Sequence, residues 1–161
     1  MKLKRYLLII FTLVGSCSLA SCGQDILVEP SPTPDPCLGE NLKIEVEKVT
    51  QLTRSFNDVA ALASNTPREK LNTSISELQR IRRDAEDQRV PACLETLKKT
   101  QVAHMNAVIQ TLIAFVGGAD QESISHGIIL SRQLHNQYLA EVARLLDVPL
   151  APMPTQLPFL P

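Results

Sequence analysis

At 161 residues the chain is long enough for one domain with appended segments to bury a core, and too short for several such domains. Only 4% of residues are aromatic and Trp is absent, so Leu, Ile, Val and Ala carry the apolar content, which suits helices packed on aliphatic seams better than a β-sandwich. The formal net charge of −1 lacks the basic excess that nucleic-acid binding requires, so no nucleic-acid partner is expected.

The first 21 residues read in three parts. Lys2, Lys4 and Arg5 make a positive start, and Tyr6 to Val14 form an apolar run well short of the ~20 residues that a transmembrane helix needs. Small residues then lead to Leu19-Ala20-Ser21-Cys22. This order resembles the signal peptide and lipobox of bacterial lipoproteins, a resemblance confined to residues 1–22. It implies that residues 1–21 are removed and that Cys22 is diacylated and becomes the mature N-terminus. Val14-Gly15-Ser16-Cys17 fits the same pattern less well, since Leu is preferred three residues before the cysteine. Thiol parity also favours Cys22: its use discards Cys17 and leaves Cys37 and Cys93 as an even pair for an oxidising compartment. An ordinary cleaved signal peptide without lipid is the alternative. Loss of Lys2, Lys4 and Arg5 leaves 13 basic against 17 acidic residues, a net charge of −4. In lipoproteins an Asp after the cysteine tends to hold the protein at the inner membrane. Gly23 stands there, so the resemblance implies a domain anchored in the bacterial cell envelope, at the outer membrane or cell surface.

Residues 22–36 comprise the anchor cysteine and a linker with Pro30, Pro32, Pro34 and Pro36 at every second position. Proline so spaced fixes φ and disfavours helix in each preceding residue, giving an extended stand-off arm that rises ~3.1 Å per residue.

Residues 37–148 change to a helical period and define the folded domain. Leu42, Val46, Val49, Phe56, Ala60 and Ala63 recur at helical spacing and predict a first helix from about Gly39 to Ser64. Thr66-Pro67-Arg68-Glu69 has the pattern of a capping box with Pro at the first helical position, so a second helix is expected directly after it. Leu71, Ile75, Leu78, Ile81 or Arg82, and Ala85 face inward there, and the helix runs to about Gln88. Arg80, Arg82 and Arg83 lie among Glu77, Asp84, Glu86 and Asp87 and read as a solvated, ion-paired face. Pro91 opens a third helix with Cys93 in its first turn; Leu94, Leu97, Gln101, Met105, Val108, Leu112 and Phe115 make its inward stripe, and Gly117-Gly118 ends it. Asp120 is the N-cap expected for a fourth helix, with Ile124, Ile128, Leu134, Tyr138, Val142 and Leu145 inward, ending near Asp147. Residues 149–161 form a proline-rich tail too apolar for an ideal solvated segment; it packs in a groove or is presented to a partner.

Four helices with short connections predict an all-α, antiparallel up-down-up-down four-helix bundle. In that topology the starts of the first and third helices share an end, and Cys37 and Cys93 flank those starts. A Cys37–Cys93 disulfide is therefore expected, and closing so long a loop stabilises by ~4 kcal/mol on the chain-entropy model. Two reduced thiols are the alternative.

The chemistry is sparse. The three histidines are the only candidates for metal or acid–base work. A turn near Gly118 would put His104 level with Arg132 and within about a turn of His135, whereas His126 lies on the opposite face from His135. No Glu-x-x-His pair, Cys-x-x-Cys-His, His-Glu-x-x-His, glycine-rich phosphate loop or Gly-x-Ser-x-Gly is present. The expectation is a non-enzymatic helical binding or structural module without cofactor or metal, its partners being the membrane through the lipid and an envelope protein. The alternative is a metal- or small-ligand-binding bundle, as a binding protein or an enzyme, that uses His104 and His135.

Overall fold

The computed structural model describes residues 34–149. The lipobox with Cys17 and Cys22, most of the proline arm and all but Pro149 of the tail lie outside the described residues. Within them the order is α1 (Gly39–Ser64), a 3₁₀ turn (Arg68–Lys70), α2 (Leu71–Asp87), a second 3₁₀ turn (Ala92–Leu94), α3 (Glu95–Gly117) and α4 (Gln121–Leu146), with no strand among the described residues.

The lead-in to α1 is organised by Asp35. Its carboxylate accepts the Cys37 N–H at 2.8 Å, and its carbonyl accepts from the Asn41 amide at 3.1 Å. Such short side chains offer the backbone a ready-made turn before the first helical bonds form. Cys37 is joined by a disulfide to Cys93 in the turn before α3, with Cα atoms 6.0 Å apart, so the starts of α1 and α3 lie side by side.

The capping box expected at Thr66 does not form. The last carbonyls of a helix lack intrahelical partners, and the α1 end recruits nearby side chains to fill them. Ser64 and Asn65 donate to Ala61 O, and the Thr66 hydroxyl donates to Leu62 O at 2.8 Å. Pro67, not Thr66, stands at the cap position and no side chain caps the turn, so α2 begins at Leu71 after the 3₁₀ segment. Pro91 likewise precedes a 3₁₀ turn rather than opening α3 directly. Asp120 does cap α4: its carboxylate accepts the Ser123 N–H at 2.8 Å. Gly118, in the left-handed region at φ 81°, ends α3 with Ala119 N–H donating to Ala114 O.

Three apolar clusters fill the interior. Phe56 of α1, Leu78, Ile81 and Ala85 of α2, and Met105 and Ile109 of α3 make one. Val46, Val49, Leu94, Leu97 and Tyr138 make a second between α1, the start of α3 and α4. Ala63, Leu71 and Ile75 close the turn between α1 and α2. Ile81, not Arg82, is the inward residue of α2; Arg82 pairs with Glu86, and Arg80 bridges Glu77 at 2.6 Å and Asp84 at 2.7 Å.

The inward stripes need two corrections. Phe115 and Ile128 are 42% and 39% exposed, while Ile109, outside the expected stripe, is buried. The fourth helix packs mainly on α3 and much less on α1, and its Ile128, Ile129 and Leu130 are exposed. Arg68 compensates at Phe115: its guanidinium lies 5.7 Å from the ring centre and donates to Val116 O.

Candidate functional site

The aliphatic interior is interrupted by a polar layer that three helices supply at helical spacing. Thr53 and Asn57 come from α1, Gln101 and His104 from α3, and Ser131, His135 and Tyr138 from α4. Residues three or four apart share a helix face, so each set points to one side of its own helix. Thr53, Gln101, His104 and Tyr138 are buried.

Gln101 ties α3 to α1. Its amide nitrogen donates to Val49 O at 2.8 Å and to the Thr53 hydroxyl at 3.0 Å, while its Oε1 is buried without a partner among the described residues. Beside it, burial pushes the Tyr138 phenol up from its ordinary range.

His104 ties α3 to α4. Its Nδ1 lies 3.0 Å from Ser131 O, and because a carbonyl can only accept, Nδ1 carries the hydrogen and donates. The neutral ring therefore keeps its lone pair on Nε2. Its centre is 4.8 Å from that of His135, with planes tilted by 48°, and His135 in turn stacks near Tyr138 at 6.2 Å. Phe56 meets His104 edge-on at 6.1 Å. Burial is the main force holding the His104 imidazolium below its ordinary range, the Ser131 bond opposing and His135 assisting. Burial alone lowers His135, whose Nδ1 is sealed without a partner among the described residues. Both rings are thus neutral at pH 7.

A cavity of about 300 Å³ opens over this pair, lined by Asn57, His104, Ser131, Arg132 and His135. Nearer the α3–α4 turn the two helices approach closely at Gly127, where a Cβ would overlap the Thr111 side chain. No group of three or more His, Cys, Asp or Glu side chains is placed to hold a metal among the described residues, so any ion here has two imidazoles and whatever Asn57 or solvent adds.

The meeting of His104 and His135, with Arg132 beside them, is the one feature of the cavity legible from spacing. His126 is exposed and takes no part. Cys37 and Cys93 form the disulfide at a separate place, and Cys22 lies outside the described residues. Asn57, Thr53 and Ser131 were not singled out by sequence reasoning; the signal available was Gln101, a lone amide in an otherwise aliphatic stripe. The larger concavity beside the end of α2 and the start of α3 is lined by charges of both signs, and Lys98 there is committed to Glu86 O and Gln88 O, each at 2.6 Å.

Among the described residues no helix is long and apolar enough to cross a membrane. Compared with known proteins, the chain matches no family model, no curated protein and no solved structure.

Proposed function

We propose that this is an envelope lipoprotein, anchored to the membrane through diacylated Cys22, whose helical domain is a non-enzymatic binding or structural module. The observation that carries the reading is the Cys37–Cys93 disulfide, a bond that persists in oxidising compartments outside the cytoplasm and agrees with export by the leader. It lies where the proline arm enters the domain, so a pull on the tether is borne by α1 and α3 together. An antiparallel up-down-up-down bundle is the topology we assign. Support comes from the partners each helix finds: Arg68, in the 3₁₀ turn just before α2, reaches Val116 at the end of α3, His104 meets Ser131, and Thr111, further along α3, faces Gly127, earlier on α4.

The experiment is labelling with palmitate in a bacterial host, followed by membrane fractionation. The native chain is expected to carry label and sediment with membranes, and Cys22→Ser to lose both. Label retained by Cys22→Ser, or lost in Cys17→Ser, would overturn the assignment.

A second reading is favoured by the cavity above His104 and His135: the bundle holds a metal ion or small ligand there, as a binding protein or an enzyme. Two neutral imidazoles facing an open polar space can donate lone pairs or exchange protons, which an aliphatic interior could not.

A further inference from the structure

We propose that His104 and His135 form a two-histidine site for one late first-row divalent metal ion, of the class of Zn²⁺, Ni²⁺ and Cu²⁺, bound through the Nε2 atoms across the α3–α4 seam. The proposal rests on the ligand-binding reading above and names its ligand.

The first support is the orientation of His104. Ligating histidines commonly donate their other ring N–H to a carbonyl or carboxylate, which fixes the tautomer and aims the lone pair. The Nδ1 of His104 donates to Ser131 O in this way, so Nε2 is the free lone pair. The second is access. Among the described residues neither Nε2 has a hydrogen-bond partner, and the only histidine nitrogen that is both sealed and unpartnered is His135 Nδ1. Both rings line the cavity, and the unpartnered Nε2 atoms are the ring nitrogens available to a ligand in it.

Distance is the third support. Two imidazoles that share one ion at ~2.0–2.1 Å from each nitrogen have centres about 5 Å apart when the ligand angle lies between square and tetrahedral. The observed separation is 4.8 Å, and the 48° tilt departs from parallel stacking.

Donor chemistry selects the metal class. No carboxylate lines the cavity, which disfavours the hard, oxygen-seeking Mg²⁺ and Ca²⁺. Imidazole nitrogen suits Zn²⁺, Ni²⁺ and Cu²⁺, and the Asn57 amide oxygen is the third donor within the same walls. The rest of the coordination sphere is left to solvent. Arg132 also lines the cavity; its guanidinium weakens a bare cation and favours one that carries an anion in an open position. Such a site binds more weakly than a closed structural zinc centre and exchanges its ion.

The test uses metal-free mature protein in detergent, titrated separately with Zn²⁺, Ni²⁺, Cu²⁺ and Mg²⁺ by calorimetry, with electron paramagnetic resonance of the Cu²⁺ form. One ion per chain is expected for the first three and none for Mg²⁺, with two imidazole nitrogens on copper. His104→Gln and His135→Gln should each weaken binding by at least ~10-fold, whereas His126→Gln, altering an exposed residue of the same helix, should not. Circular dichroism of each variant checks folding. If His104→Gln fails to fold, the more exposed His135→Gln carries the comparison. Absence of saturable binding, or binding indifferent to both substitutions, overturns the site. Acetate added without metal separates the two levels of argument: shifts of the His104 and His135 imidazole NMR signals would retain a ligand cavity while the metal site falls, and silence in both experiments would remove both.

Discussion

Two sides of the interior interleave along α1 and α3, with Phe56 between Thr53 and Asn57 and Met105 next to His104, and are built on opposite principles. Towards α2, Phe56 packs in an apolar cluster with Leu78, Ile81 and Ala85, joined by Met105 and Ile109 of α3. Around His104 the neighbours come from α4, and the buried or half-buried groups include Thr53, Gln101, His135 and Tyr138. The outer faces of the two partner helices differ to match. The helix α2 carries Glu77, Arg80, Arg82, Arg83, Asp84, Glu86 and Asp87, largely paired with one another, and so presents a surface committed to water. From Ser123 to Ala140, α4 has Arg132 as its one Lys, Arg, Asp or Glu, and Ile128, Ile129 and Leu130 are exposed in succession. Depletion of charge together with exposed apolar residues is the composition of contact surfaces, not of solvated ones. The contrast teaches that α2 is a scaffold helix with its polarity resolved, whereas α4 is where this fold keeps its unresolved chemistry.

The sharpest way to break that contrast is to cut one side chain from each layer. Phe56→Ala removes a fully buried ring from the aliphatic layer and should cost about 3–5 kcal/mol in urea unfolding. Gln101→Met, a substitution of similar volume in the polar layer, should change stability by less than ~1.5 kcal/mol. It loses two donated bonds but also eliminates the buried, partnerless Oε1, and these effects offset each other. Equal losses for the two variants would mean that the polar layer is as essential to folding as the aliphatic one.

A smaller effect is expected from pH. Burial holds both His104 and His135 below the free imidazole value of 6.5, so the unfolded chain takes up protons at a pH where the folded one does not. Stability is then complete above about pH 6.5 and falls as pH drops below it, until the folded-state imidazoles themselves protonate. The Tm of the native chain should therefore be flat from pH 8 to 6.5 and decline towards pH 5, with a shallower decline in His104→Gln. A Tm that climbs on acidification, or a slope untouched by His104→Gln, would show that the histidines are not held neutral by the fold.

Much of the candidate site was legible because it depends on counting along helices. A chain reversal near Gly118 sets the level of His104 against that of Arg132 and His135, and a rise fixed by helix geometry leaves little freedom in that register. What counting could not deliver was the depth of the groove. Asn57 and Ser131 are ordinary polar residues until the local distance between α1, α3 and α4 makes them walls of one cavity.

By itself the sequence determined the four helical segments, the end of α3 at its glycines and the Asp120 cap. Each follows from local propensity or from periodicity, both of which are properties of the linear chain. Tertiary structure alone decided that Phe115 and Ile128 stay partly exposed while Ile109 is buried, because a periodic stripe reports the phase of a face and not how closely a neighbour approaches it. The same rule governs the histidines: their spacing was in the sequence, and their shared, partly sheltered cavity came from the packing of α4 on α3.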